Sequence, residues 1–301
     1  MEISAVNALL CPHCGSEFST PAAGAASLAC TAGHSFDIAR QGYLNLLTGH
    51  GTKFVPDTAA MVSARDSFLD AGHYEPLALA LAEKVKELIA GAGLNAVPLI
   101  VDAGTGTGYY LQHVLAGCNE GHGETQDPGM APAVTAVGMD ISKFALRRAA
   151  RRNPAALKIV WDLWRELPLG AGTADVVLVV FAPRNASEFA RILKPGGTLI
   201  VVTPLASHLA EIAQEAGLLG IQEDKEAALK HSLEDHFTPA GSRELLVPLR
   251  LGPADIGNVA LMGPAGHHLD EVELGERLAQ LPVTTEATAA FRISTFTARQ
   301  H

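Results

Sequence analysis

From residue 97 onward the chain alternates short apolar runs with longer stretches of helical spacing. Pro98–Asp102, Val134–Asp140, Lys158–Trp161, Ala174–Phe181 and Thr198–Val202 are rich in Val, Ile and Leu. Unbroken runs of this kind predict parallel strands buried on both faces. Glu244–Leu251 and Phe291–Thr297 add two strands near the end. Helices between the first five predict a doubly wound α/β sheet. Upstream, apolar positions at helical spacing from Met61 to Leu69 predict one helix, and Leu77, Leu81, Val85, Leu88 and Ile89 mark one face of a second, Glu75–Ala90. Residues 117–132 are rich in Gly, Pro and acids and read as an exposed insertion. The first 38 residues follow neither period. They are Gly-, Ala- and Ser-rich and need something other than an apolar core to hold them. The chain therefore divides into a small module at 1–38, a helical linker region at 39–96 and an α/β domain at 97–301.

Composition narrows the class. The 301 residues suffice for one large domain plus a small one, and 48% hydrophobic content describes a globular chain. A formal net charge of −10 excludes a surface coated in phosphate-binding charge, so any nucleic-acid contact is local. Three of the four cysteines fall within the first 30 residues, which is no secreted disulfide framework. The fourth, Cys118, reads as a free thiol in a loop. No basic start followed by an apolar run marks a signal peptide, and no apolar stretch reaches the roughly 18 residues of a membrane span. A reducing cytoplasm is the compartment expected.

Two motifs carry chemistry. Cys11-Pro-His-Cys14 and, fifteen residues on, Cys30-Thr-Ala-Gly-His34 form two ligand pairs on two turns. Zinc favours four sulfur and nitrogen ligands in a tetrahedron, and a closed set leaves no position open for chemistry. Cys11, Cys14, Cys30 and His34 are therefore expected to hold a structural Zn2+. His13, inside the first tight turn, is the less suited ligand. Further on, Asp102-Ala-Gly-Thr-Gly-Thr-Gly108 follows a strand and opens a helix near Tyr109. Tyr109 stands where a dinucleotide fingerprint needs its third glycine. The D-x-G-x-G-x-G pattern is instead that of S-adenosylmethionine-dependent methyltransferases, so the fold expected is a Rossmann-like class I methyltransferase sheet behind a small zinc-binding module. Gly104, Gly106 and Gly108 let backbone approach a ligand. Asp140, ending the second strand, is placed for the donor's ribose hydroxyls, and Asp162, after the third, for its adenine amino group.

These residues, with Gly42-Tyr-Leu-Asn-Leu-Leu47, Ala64-Arg-Asp-Ser-Phe-Leu-Asp-Ala-Gly-His-Tyr74, Phe181-Ala-Pro183, Leu193-Lys-Pro-Gly-Gly197, Thr203-Pro204, His208-Leu209, Phe237-Thr238 and Pro248-Leu-Arg-Leu251, make the chain resemble the large-subunit (23S) rRNA guanine-N1 methyltransferases, a family with housekeeping and macrolide-resistance members. The likeness extends over nearly the whole chain. It implies that the four knuckle residues bind zinc and that Tyr74, Gly106, Thr107 and His208 contact the methyl donor. It also implies a 23S rRNA partner, a guanine in a hairpin near the peptide exit tunnel. The insertion at 117–132 and a linker whose main charges are Arg40 and Lys53 depart from the family pattern.

Guanine N1 carries a proton at neutral pH, so the enzyme must position the base and remove that proton. The loop after the fourth strand is where methyltransferases of this class place the target base. In it, Phe181 is placed to stack on the base, and Arg184 and Asn185 to bond its O6 edge or a phosphate. Asp162 is the candidate base, in competition with its adenine role. On the helix after Asp140, Lys143, Arg147, Arg148, Arg151 and Arg152 form a basic face suited to phosphate. His267-His268 reads as an incidental pair. The alternative function is a small-molecule methyltransferase whose zinc module stabilises the fold or a homodimer.

Overall fold

A computed structural model describes residues 3–22, 24–49, 51–91, 97–120, 134–218, 229 and 231–299. The N-terminal part holds a short helix α1 (Ile3–Val6) and a hairpin of β1 (Ser27–Ala29) and β2 (Ser35–Asp37). After β3 (Leu44–Asn45) come α2 (Ala59–Asp70) and α3 (Glu75–Gly91). Thr58 starts α2 by accepting a hydrogen bond from the Met61 N–H on its hydroxyl. Then follow β4 (Leu99–Ala103), α4 (Tyr109–Asn119), β5 (Thr135–Asp140), α5 (Lys143–Arg152), β6 (Leu157–Val160), β7 (Ala174–Val180), α6 (Ala186–Ile192) and β8 (Leu193–Pro204). The chain ends with β9 (Phe237–Leu251), α7 (Pro253–Met262), α8 (Glu271–Leu278) and β10 (Thr285–Ala298).

Eight strands form one sheet in the order β3-β6-β5-β4-β7-β8-β10-β9. The pairs from β3 to β8 are parallel, and β10 runs antiparallel to both of its neighbours. Every residue of β4 and β6 is buried, Asp102 and Lys158 included, as strands covered on both faces require. Within β4, Ile100 packs on one face with Phe68, Leu77, Leu81 and Val114, while Leu99, Val101 and Ala103 pack on the other with Phe189 and Ile192. The second face also takes Val6 and Leu9, and Leu9 bridges to Leu169. Phe18, Leu28 and Phe36 of the N-terminal part join the same apolar cluster.

The order of strands positions the site. From β4 the chain winds outward through β5 and β6, then returns to β7 on the opposite side of β4. Ligands of open α/β sheets bind at the carboxyl ends of strands where the winding reverses. That point lies between β4 and β7, so the Asp102–Gly108 loop and the Phe181–Asn185 loop share one edge.

Two expectations change, while the insertion expected at 117–132 lies outside the described residues beyond Glu120. Cys118 is on α4 rather than in a loop, half-buried, and burial pushes its thiol up to about 11. The last two strands are longer than their apolar runs. β9 starts at Phe237 because it is the sheet's edge, with mostly exposed residues up to Leu246 whose backbone pairing with β10 needs no apolar pattern.

Candidate donor cleft and metal centre

The metal centre is built by turns. Glycines with left-handed backbone turn the chain at each ligand pair, Gly15 (φ 70°) just after Cys14 and Gly33 (φ 90°) just before His34. They bring Cys11, Cys14, Cys30 and His34 together with all four ligand atoms within 4.8 Å of one another. Cys14 Sγ and Cys30 Sγ are 3.8 Å apart, and His34 Nδ1 is 3.7 Å from Cys11 Sγ and 3.5 Å from Cys30 Sγ. A tetrahedron with Zn–S of about 2.3 Å has edges of about 3.8 Å, slightly shorter to a nitrogen. These three edges match those that zinc requires, and the four atoms lie close enough to share one ion. Ser16 holds the Cys14 thiol down to about 6, which favours the thiolate a metal binds. His13 is exposed and stacks on Phe36 at 5.8 Å, outside the set.

The donor loop sits at the switch point. Asp102 is buried at the end of β4, and its Oδ2 accepts a 2.6 Å hydrogen bond from the Thr105 hydroxyl. Burial raises its carboxyl to about 7, with the Thr105 bond opposing. Asp140 Oδ2 accepts from Gly106 N at 3.0 Å, and its Oδ1 accepts from Ser142 N at 2.7 Å. Asp140 therefore fixes the loop while each of its oxygens keeps a lone pair for a ligand. Burial shifts its carboxyl up, against those two N–H bonds and Arg65.

The loop's glycines do different work. A Cβ on Gly104 would stand 2.3 Å from Ala182 Cβ, and one on Gly108 would stand 2.6 Å from Asn153 Nδ2, so both are held by close packing. A Cβ on Gly106 would meet nothing nearer than Arg65 Cδ at 4.0 Å. That leaves a cradle open above the Gly106 backbone. Beside it, the Thr107 hydroxyl is buried and has no hydrogen-bond partner among the described residues. A buried hydroxyl left unpaired costs about 1–3 kcal/mol unless a ligand takes it. Cradle, orphan hydroxyl and the Asp140 carboxylate fit the nucleoside and amino-acid groups of S-adenosylmethionine.

Tyr74 and His208 come from opposite ends of the chain and meet here. Tyr74 Oη and His208 Nε2 are 3.1 Å apart, and His208 Nδ1 accepts from Ala290 N at 3.1 Å. Burial pushes the His208 ring down to about 4, so it is neutral with its proton on Nε2. Nε2–H then donates to Tyr74, whose own O–H is left to donate outward. Phe291 joins these residues to the base loop, 4.8 Å from Tyr74, 4.9 Å from His208 and 5.7 Å from Phe181 between ring centroids.

Phe181 follows β7 with a left-handed backbone (φ 54°) and is 45% exposed. Held strain at an exposed aromatic marks a positioned side chain. Arg184 is half-buried, burial lowers its guanidinium from the ordinary value, and it makes no hydrogen bond or ion pair among the described residues. Asn185 departs from its expected role. Its Nδ2 donates to Leu163 O at 3.0 Å and Arg165 O at 3.3 Å, so it clips the base loop to the Asp162 loop. Asp162 is buried; its Oδ2 accepts from the Thr52 hydroxyl at 2.8 Å and its Oδ1 from Trp164 N at 3.0 Å. On α5 the basic face is smaller than expected. Arg148 and Arg152 both bind Asp66, and Arg152 also binds Asp70 at 2.7 Å. Lys143, Arg147 and Arg151 have no carboxylate partner among the described residues.

With this geometry in place, comparison with known proteins is decisive. Residues 9–50 match the RlmA N-terminal zinc-ribbon family, and residues 101–201 match the methyltransferase domain family. The 23S rRNA (guanine(748)-N(1))-methyltransferase of Streptomyces fradiae is 43% identical, over 96% of each chain. The chain belongs to the 23S rRNA guanine-N1 methyltransferase family. A protein of Micromonospora griseorubida assigned the same guanine-N1 activity is also 43% identical over 96% of each chain. One of Bacillus subtilis (strain 168), again assigned that activity, is 34% identical over 68% of this chain and 67% of its own. As a member, the chain is a methyltransferase that takes S-adenosylmethionine and carries a structural zinc site. No helix of the described residues is long and apolar enough to cross a membrane.

Sequence reasoning missed Thr105, Thr52 and Phe291, which hold Asp102, Asp162 and the aromatic group together. Each acts across the fold, and no local motif announces it.

Proposed function

We propose that this chain transfers the methyl group of S-adenosylmethionine to N1 of a guanine in a 23S rRNA hairpin near the peptide exit tunnel, within the cytoplasm, with macrolide resistance as the physiological result. The observation that carries the reading is the 43% identity over nearly all of both chains to the Streptomyces fradiae enzyme. A single chain supplies every group invoked, so a homodimer is compatible with the reading but not needed.

The donor supplies an electrophilic methyl group. Asp140 would hold its ribose hydroxyls, and the Gly106 cradle, Thr107 and the outward Tyr74 hydroxyl its remaining polar groups. Phe181 would stack on the extruded guanine, and Arg184, desolvated and without a hydrogen-bond or ion-pair partner among the described residues, would bond O6. A cation at O6 favours the N1-deprotonated base, whose charge spreads onto that oxygen. When bound, the donor would supply a sulfonium methyl group to the N1 lone pair and depart as S-adenosylhomocysteine, with the N1 proton passing to solvent or to Asp162. Asp162 is assigned to the adenine amino group, with removal of the N1 proton as the competing role. Asp162→Asn separates them, because lost donor affinity marks the first and lost turnover at unchanged affinity the second. Primer extension on rRNA from expressing cells tests the whole reading, since N1 methylation blocks the pairing edge and stops reverse transcriptase. A new stop in 23S rRNA is expected. No stop, together with methylation of a small metabolite, would refute it.

A further inference from the structure

Two large aromatic side chains from distant segments face each other at the surface. Phe54 is 39% exposed and Trp164 is 52% exposed, and their rings lie 6.4 Å apart at an interplanar angle of 29°. They are not left there by a loose chain. The Thr52 hydroxyl bonds Asp162, and Arg165 bonds the Gly51 carbonyl, so the two segments are tied together beneath the rings. A cleft of about 510 Å³ opens between them. That centroid separation is within the range of an offset aromatic pair, so the two rings form one exposed aromatic platform that lines the cleft.

Charge points the same way. Lys53 Nζ stands 5.4 Å from the Phe54 ring centre, and Arg165 lines the opposite wall. These cations flank exposed aromatics on a chain of net charge −10. Aromatic faces beside cations are the chemistry that binds single-stranded nucleic acid, by stacking and by phosphate contact. The position is equally specific. Asn185 bonds the carbonyls of Leu163 and Arg165, which fastens the Phe181–Asn185 base loop to this wall.

We propose that the cleft between Phe54 and Trp164 is a second nucleobase site, holding one unpaired nucleotide of the RNA substrate that flanks the methylated guanine. The base stacks on the exposed faces of Phe54 and Trp164, while Lys53 and Arg165 take its phosphates. Splaying out a neighbour would help hold the target guanine extruded and would select hairpins with an unpaired base beside it. The inference rests on the rRNA reading above.

The probe is a transcript of the rRNA hairpin in which primer extension locates the modified guanine. Trp161 and Trp164 are the chain's two tryptophans, so Trp161→Phe leaves Trp164 as sole fluorophore. Its emission should be quenched by the hairpin, and an abasic nucleotide at one neighbouring position should abolish the quenching. Phe54→Ala and Trp164→Ala should each raise KM for the hairpin about 5- to 100-fold, with S-adenosylhomocysteine affinity unchanged. Thermal melting checks that each variant folds, and Phe54→Tyr should restore binding. An unchanged KM in both variants, with the primer-extension stop present, overturns the cleft alone. An equal loss of S-adenosylhomocysteine affinity gives the rings to the donor's adenine and also overturns it. Absence of the stop for the unaltered protein refutes the rRNA reading itself.

Discussion

Gly106 and Gly108 are two residues apart and both have left-handed backbone, at φ 54° and 78°. Their substitution by alanine should nevertheless have opposite consequences. An L-residue in this region costs roughly 1–2 kcal/mol, offset by about 0.4–1 kcal/mol from a stiffer unfolded chain. At Gly106 the new methyl meets only Arg65 Cδ at 4.0 Å, so about 1 kcal/mol is the whole stability loss. At Gly108 it would stand 2.6 Å from Asn153 Nδ2 and 3.0 Å from Ala149, and Asn153 Nδ2 also bonds the Gly108 carbonyl. Overpacking adds about 1–3 kcal/mol there. A melting temperature lowered by about 1–3 °C is therefore expected for Gly106→Ala, and by about 5–10 °C for Gly108→Ala. Donor affinity should reverse that order. The Gly106 methyl fills the cradle over which the donor lies, so calorimetry with S-adenosylhomocysteine should show at least about a tenfold loss, or 1.4 kcal/mol. Gly108→Ala, measured below its melting point, should lose less. Full S-adenosylhomocysteine affinity in Gly106→Ala would refute the assignment of the loop.

Further outcomes follow from the same geometry. Freshly purified protein should hold one equivalent of zinc, and Cys14→Ser should release it; hydrogen exchange should then lose protection at residues 11–37 with donor affinity largely kept, and less than about half an equivalent would count against the site. Asp140→Ala removes an acceptor that both fixes the loop and faces the ligand, so S-adenosylhomocysteine affinity should fall about 10- to 100-fold by calorimetry. His208 stays neutral in the fold down to about 4, whereas the unfolded chain takes the proton near 6.5. Between those values the unfolded state binds more protons, so stability falls as pH drops; denaturant titrations should show that slope shrink by up to about 3 kcal/mol in His208→Gln, and an identical slope would contradict the buried neutral ring.

What the sequence makes legible here is what depends on local order. Five of the six parallel strands announce themselves because burial on both faces favours runs rich in Val, Ile and Leu, whereas β3 is only Leu44–Asn45 and carries no such run. Cys11, Cys14, Cys30 and His34 are readable because each ligand pair closes one turn. The Asp102–Gly108 loop is readable because its left-handed backbone and close packing demand glycine at 104 and 108 and the open cradle leaves one at 106. Other features are set by partners far along the chain. β9 pairs through its backbone at the sheet edge, so residues 237–243 carry no apolar signal. Arg148 and Arg152 look like a phosphate-binding face until α2 brings Asp66 and Asp70 against them. Asn185 looks like a ligand contact and is a clip.

The arginines on α5 also bear on how an acidic chain recognises RNA. Two of the five cations on that helix are neutralised by α2, and three remain outward. Counterion release from so few contacts supplies limited, salt-sensitive affinity and no sequence information. Selection of one guanine must then come from groups that read an unpaired base. On the reading proposed above, those groups on the carboxyl edge of the sheet are Phe181 and Arg184, with Phe54 and Trp164 beside them. The strand order explains why they can act together. β7 leaves the switch point on one side of β4 and the Asp162 loop lies on the other, so the two aromatic sites flank the donor loop. The hydrogen bonds of Asn185 and Thr52 keep that spacing without any ligand present. A surface arranged in this way discriminates by stacking and shape, and a net charge of −10 then costs it little specificity while discouraging binding to RNA at large.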